Sequence, residues 1–264
     1  MRPSERVIAS FGGRGDPVLL DGGQGETWVV GDVVLKPALD PELVEWLDQC
    51  APAVSQDRLR LCLPLRSGHG ERQVEGWTAF PRLAGQDARG RWTQLADVAR
   101  AFADVWSEMA EPPFLRRREN PWERADHVAW GEAELDPADL TPTLRSLLGA
   151  QTPVSGRDQL IHGDLTGNVL LAPDLPPAVI DITPYWRPVP YSVAIIAVDA
   201  VCFNGAPADL LTTIDSAPDF RQYVLRALLF RMVTDTYLGI AQEGRYAVVI
   251  AWILGQTHGR TGGH

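Results

Sequence analysis

The sequence predicts an α+β fold of two lobes: a small antiparallel sheet with one helix over residues 1–85, then a larger, mostly helical lobe over 86–264. Three observations predict it. Up to Gly85 the apolar residues come in short runs divided by glycine- and aspartate-rich breaks, which is hairpin chemistry. Beyond Gly85 they recur at helical spacing, as in Trp92, Leu95, Val98, Ala99 and Phe102. No strand–helix–strand alternation occurs in the first part, which excludes a Rossmann unit there.

The elements follow in order. Pro17–Leu20, Thr27–Val30 and Val33–Lys36 read as strands, split by Asp21–Gly25 and by Gly31-Asp32. Asp40 is an N-cap and Pro41 a first helical residue, opening a helix that Leu43, Val44, Trp46 and Leu47 carry to about Cys50. Leu59–Leu65 and Val74–Phe80 read as two more strands of the same sheet, joined by the turn Ser67–Gly70. Helices are expected over Trp92–Met109, Glu123–Glu132, Pro137–Leu148, Val193–Phe203, Phe220–Leu238 and Tyr246–His258. Gly259–His264 reads as a frayed tail.

Composition narrows the function classes. A formal net charge of −10 argues against a broad nucleic-acid-binding face and would tolerate or attract a cationic small substrate. Cys50, Cys62 and Cys202 lie in apolar surroundings without C-x-x-C spacing, as reduced core residues do. The histidines make no metal-ligand cluster, so a structural zinc is not expected. Met1–Asp16 is polar and glycine-rich rather than a signal peptide, and Asp199 interrupts the apolar run Val193–Phe203. A cytosolic protein without a membrane partner is the expectation.

The chain uses arginine almost throughout, and Lys36 is its single lysine. It sits at the end of a short apolar strand after a glycine-rich turn. Far downstream come His162-Gly163-Asp164, Asn168 and, after the apolar run Ala178-Val179-Ile180, Asp181. A lone amine, a glycine turn and an Asp…Asn…Asp series in that order are the parts of a phosphoryl-transfer site. Asp164 would orient a hydroxyl and take its proton. Asn168 and Asp181 would supply oxygens to a magnesium ion. Lys36 would contact the phosphates of ATP as a compact point charge, held by a helix glutamate. Glu45 and Glu42 are the candidates; spacing favours Glu45, while Glu42 complements the helix N-terminus.

Gly23, Gln24 and Gly25 would lay backbone N–H groups over the phosphates, or serve only as a hairpin turn. In the connection Ala79–Gly85 the Pro81 carbonyl and the Leu83 N–H would pair with adenine. Asp199, an acid inside an apolar helix, would brace the Asp164 loop through backbone N–H groups, or face water or an arginine. Trp122, Trp130 and Trp186 stand beside charged residues; they would line a substrate pocket or, as the default use, pack in the core.

At these residues the chain resembles the aminoglycoside phosphotransferase and choline kinase-like group, small-molecule relatives of the protein kinases. The resemblance spans nearly the whole chain and rests on Lys36, His162-Gly163-Asp164, Asn168, Asp181 and Asp199. It implies a bilobal protein-kinase-like fold, ATP with magnesium, structural support from His162, and transfer to a hydroxyl of a small molecule. The Leu165-Thr166-Gly167-Asn168 loop and the arginine bias are similar to an actinobacterial branch. Two departures stand out. Three residues rather than four separate Asp164 from Asn168, and Asp181 is followed by Ile182-Thr183-Pro184 instead of Phe-Gly. They support a rival reading, a catalytically silent module that binds a nucleotide or a protein partner.

Overall fold

The computed structural model describes residues 1–20, 25–50 and 55–255, so the expected tail lies outside the described residues. The α+β class is borne out. Two compact units form: unit 1 is Met1–Asp87 with Leu170–Ile182, and unit 2 is Ala88–Val169 with Thr183–His264.

Unit 1 begins with a helix the sequence reading did not include, α1 (Glu5–Ser10). Its N-cap Ser4 accepts the Val7 N–H, and Val7 is fully buried. The first sheet runs β1 (Val18–Leu19), β2 (Trp28–Val30), β3 (Val33–Pro37) and β5 (Trp77–Pro81), all antiparallel. Strand alternation sends Val33 and Leu35 into a core with Val7, Phe11, Trp77 and Ala79. Lys36, one residue on from Leu35, therefore lies on the opposite face, paired with Thr78. Helix α2 (Pro41–Cys50) starts where expected, with Asp40 Oδ1 accepting the Glu42 N–H at 2.9 Å.

The expected strand over Leu59–Leu65 is corrected. Only β4 (Arg60–Leu61) forms, and it pairs in parallel with β9 (Ala178–Val179). Leu65 keeps a single bridge to Ala79 in the first sheet. The second sheet runs β4-β9-β8-β6, where β6 is Gln86–Asp87 and β8 is Val169–Leu171. Gly85 precedes β6 with φ +145°, and a Cβ there would meet the Leu170 Cβ at 2.8 Å, so only glycine fits this approach.

Unit 2 is mainly helical: α3 (Trp92–Val105), α4 (Pro121–Ala129), α5 (Pro142–Gly149), α6 (Val189–Phe203), α7 (Leu210–Thr213), α8 (Phe220–Tyr237) and α9 (Ala247–Gly255). A polar cap followed by proline opens two of them. Asn120 accepts the Trp122 and Glu123 N–H groups before Pro121, and Thr141 accepts that of Leu144 before Pro142. α8 packs on α4 and α6 and is buried around most of its circumference, beyond the one apolar stripe its spacing suggests. The one ladder in the described part of this unit joins β7 (Gln159–His162) to β10 (Pro184–Arg187), antiparallel, with Pro184 opposite His162. β10 was not expected, because Pro184 reads as a breaker; it occupies the first strand position, where proline is tolerated.

Candidate active site

Unit 1 brings Lys36 and Asp181 together. Lys36 Nζ lies 2.8 Å from Asp181 Oδ1 and 5.8 Å from the centre of the Phe80 ring. The lysine is largely buried and the carboxylate half exposed, at 17% and 49% of their side chains. Asp181 follows β9 with φ +54°, a left-handed backbone that aspartate tolerates better than most residues. Strain of this kind is held in place only where the surroundings over-determine it.

Glu45 does not hold Lys36. It is exposed on α2, 3.8 Å from Arg72 Nη1, and accepts from Gln49 at 3.2 Å. Glu45 is thus a surface residue, and the acid paired with the lysine is Asp181. Gly23 and Gln24 lie outside the described residues, while Gly25 adopts φ +71° as a turn glycine does. The Pro81 carbonyl, at the end of β5, accepts a weak bond from Cys62 Sγ at 3.5 Å. Leu83 follows in the irregular stretch before β6 and is half buried.

Unit 2 carries the loop. β7 delivers His162 with its side chain fully buried, edge-on to Phe102 at 5.3 Å. Its Nδ1 accepts the Asp164 N–H at 3.0 Å, and its Nε2 lies 3.3 Å from the Thr183 N. A neutral imidazole has one acceptor nitrogen, so the shorter contact is the one assigned as a hydrogen bond. Ser192 of α6 donates to the His162 carbonyl at 2.6 Å, and the Gly163 N–H donates to the Thr183 carbonyl. A Cβ on Gly163 would lie 2.4 Å from the Tyr185 ring, which explains the glycine without any special backbone angle.

The three-residue spacing closes as a tight turn. The Asn168 N–H donates to the Leu165 carbonyl at 3.0 Å, and Gly167 takes φ +86°. Asn168 Nδ2 donates to the Asp164 carbonyl at 2.7 Å and to its Oδ2 at 3.3 Å. The donor end of the amide is thereby engaged, and its oxygen is the end left to meet a cation.

The residue that sequence reasoning missed is Arg231 of α8. Its Nη2 donates to Asp164 Oδ1 at 2.9 Å and to Asp199 Oδ2 at 2.6 Å, while its Nε donates to Asp199 Oδ1 at 2.8 Å. Asp199 therefore reaches the loop through a guanidinium, not through backbone N–H groups. Burial pushes the Asp199 carboxyl above the ordinary carboxylate range, against the pull of Arg231. Burial also opposes the Arg231 charge, but Asp199 and Asp164 outweigh it and hold the guanidinium well above its ordinary value. An arginine inside an apolar helix, with a buried acid in another helix, was the available signal.

Asp164, Arg231 and Asp199 line a cavity of about 440 Å³ that also includes Trp122. A second cavity in this unit, about 350 Å³, is lined by Trp186 and by Arg187, whose guanidinium clamps Asp126 (2.7 Å) and Glu132 (2.7 Å). Trp130, partly buried, is packed edge-on to Tyr191 and beneath Arg187 and Arg226.

The residues present fit a nucleotide and a hard divalent cation. Carboxylate and amide oxygens suit magnesium, and a largely buried ammonium suits a phosphate. Among the described residues no group of three or more His, Cys, Asp or Glu is assembled that could hold a metal ion. Burial pushes the Cys62 and Cys202 thiols up to about 12, and all three cysteines are free, which makes these two poor nucleophiles. No helix among the described residues is long and apolar enough to cross a membrane.

No family model matches the chain, and no curated protein matches it. Solved structures do. Choline kinase LicA from Streptococcus pneumoniae is 12% identical with a TM-score of 0.60, over 96% of this chain and 97% of that one. An aminoglycoside phosphotransferase from Alicyclobacillus acidocaldarius is 13% identical with a TM-score of 0.59, over 97% and 93%. Amicoumacin kinase hAmiN, in complex with AMP-PNP, Ca2+ and Ami, is 11% identical with a TM-score of 0.60, over 93% and 88%. The chain thus has the fold of these small-molecule phosphotransferases.

Proposed function

We propose that this chain is an ATP-dependent kinase of a small hydroxyl compound. One observation carries the reading: Asp164 presents a half-exposed carboxylate in a cavity, with one oxygen fixed by Arg231 and the other beside Asn168. That is the geometry of a group positioned to take a proton from an incoming alcohol. The Lys36–Asp181 pair supports the nucleotide half.

In this reading the acceptor oxygen bonds to the γ-phosphorus as the bond from that phosphorus to the bridging oxygen of ADP breaks. The hydroxyl proton passes to Asp164 Oδ2, and ADP leaves. Lys36 neutralises phosphate oxygens. Asp181 and Asn168 would each offer an oxygen to magnesium, which would supply neutralisation of phosphate charge. His162 fixes the loop through the Asp164 N–H, and Arg231 with Asp199 fixes the side chain.

ADP release from Mg-ATP in the presence of a hydroxyl-compound library tests this, with thermal shift reporting nucleotide binding. Asp164→Asn is expected to lower turnover by roughly 10²–10⁴ while Mg-ATP still raises the melting temperature. Equal turnover in both proteins would remove Asp164 from its role. Nucleotide binding without transfer to any acceptor would favour the silent module.

A further inference from the structure

The second cavity of unit 2, about 350 Å³, has room for a small ligand and shares no lining residue with the cavity around Asp164. Five carboxylates line it, those of Glu111, Glu123, Asp126, Glu132 and Asp158. The guanidinium groups in the same wall are already engaged. Arg187 donates to Asp126 and Glu132, and the exposed Arg116 donates to Glu111. Arg118, from outside the lining, donates to Glu123 Oε1 at 3.1 Å. Counting histidine as neutral, five acids against three guanidinium groups leave a surplus of two negative charges.

Two of the acids locate that surplus. Glu123, on α4, has a side chain only 9% exposed, and its Oε2 is shielded from water and accepts no hydrogen bond. A buried carboxylate oxygen without a donor is costly, so a donor placed in the cavity would be held there. Asp158, just before β7, is exposed and makes no hydrogen bond or ion pair among the described residues. Partial burial raises its carboxyl; Arg187 pulls it back, and Glu132 and Glu111 push it up again. Three acids therefore sit within electrostatic reach of one another.

The rest of the lining suits carbon. Leu115 and Trp186 are partly exposed there, beside the buried Pro184. Trp130 already carries Arg187 and Arg226 over its ring, whereas no cation covers Trp186 among the described residues. An indole face left open attracts a cation. A bare metal ion is the poorer fit, because the acids are not grouped to grip one.

We infer that this cavity binds an aliphatic amine with two ammonium groups, at a site separate from the Asp164 cavity. One ammonium would donate to Glu123 Oε2 and the other would pair with Asp158, with the methylenes against Leu115 and Trp186. Arg116 and Arg187 would oppose a cation only if they were unpaired, and each already meets a carboxylate.

Three probes that share one five-carbon body test it: 1,5-diaminopentane, pentylamine and 1,5-pentanediol. They would be titrated calorimetrically into the full chain without nucleotide. The diamine is expected to bind roughly tenfold tighter than the monoamine, and the diol not at all. Asp158→Asn, at an exposed position, should weaken the diamine severalfold, and so should Trp186→Ala. Asp164→Asn should bind it as the wild type does. Diol binding as tight as that of the diamine overturns the inference, as does unchanged diamine affinity in Asp158→Asn. So does the absence of diamine binding at millimolar concentration. Loss of binding in Asp164→Asn alone would put the amine in the other cavity and equally overturn it. No kinase residue lines this cavity, so each of these failures leaves the proposed function standing.

Discussion

Arg231 carries two demands at once, holding the buried Asp199 and orienting the half-exposed Asp164. Removing one member of a buried ion pair strands the other and costs about 3–5 kcal/mol, whereas replacing both by apolar residues is often close to neutral. Arg231→Leu should therefore destabilise unit 2 strongly, and the double variant with Asp199→Leu should recover most of the melting temperature. Turnover should remain low in both, because Asp164 has lost its partner, while the KM for ATP stays near the wild-type value. Recovery of turnover along with stability would make Arg231 a structural residue only. At this scale Lys36, Asp164, Asn168 and Asp181 could be singled out as candidates because their order and types are rare together. Arg231 could not, since an arginine is unremarkable in a chain that uses arginine for nearly every cation, and its partners are 32 and 67 residues away. Glu45 was misread for a related reason: helical spacing gives the right distance along the chain but not the direction of the side chain.

A polar cap before proline marks a helix start through neighbouring backbone, yet only the Asp40-Pro41 start was read from it; the same signal at Asn120-Pro121 and Thr141-Pro142 was passed over for starts at Glu123 and Pro137. Strands whose partners lie far along the chain were not readable. β4 reads as sheet-forming, yet nothing local says that its neighbour is Ala178–Val179 rather than the adjacent hairpin. α1 was missed because glycines at 12, 13 and 15 dominate a window in which only six residues are helical. The cap of α4 gives a prediction at this scale. Asn120 accepts the Trp122 N–H at 3.0 Å and the Glu123 N–H at 3.3 Å. Asn120→Ala should cost about 1 kcal/mol, read as a shift in denaturant midpoint, while Asn120→Asp should cost far less. An unchanged midpoint in the alanine variant would mean that solvent replaces the cap.

Across the molecule, acid stability is tied to carboxylates in both units. Asp48 lies between Arg66 (2.6 Å) and Arg72 (2.8 Å). Burial raises its carboxyl, but the two guanidinium groups outweigh this and hold it below the ordinary value. Glu132 is held down in the same way by Arg187 and His127 against burial. A depressed folded value means that the contribution is complete above the unfolded range, near pH ~4, and is lost as pH falls through the folded value. Asp199 acts with the opposite sign, its share fading as pH rises through its raised value. The melting temperature of Asp48→Asn should accordingly fall below wild type at pH 7, and the gap should narrow on acidification. A gap independent of pH would show that packing, not charge, accounts for the effect.

The return of Leu170–Ile182 to unit 1 has a practical corollary for anyone dividing the molecule. β4 and β6 are each completed by a strand encoded more than eighty residues later, β9 and β8 respectively. A fragment ending at Asp87 would therefore carry two short strands with raw hydrogen-bonding edges and no Asp181 opposite its lysine. Such edges recruit other chains, so this piece should self-associate, and a soluble version would need the later segment spliced back in.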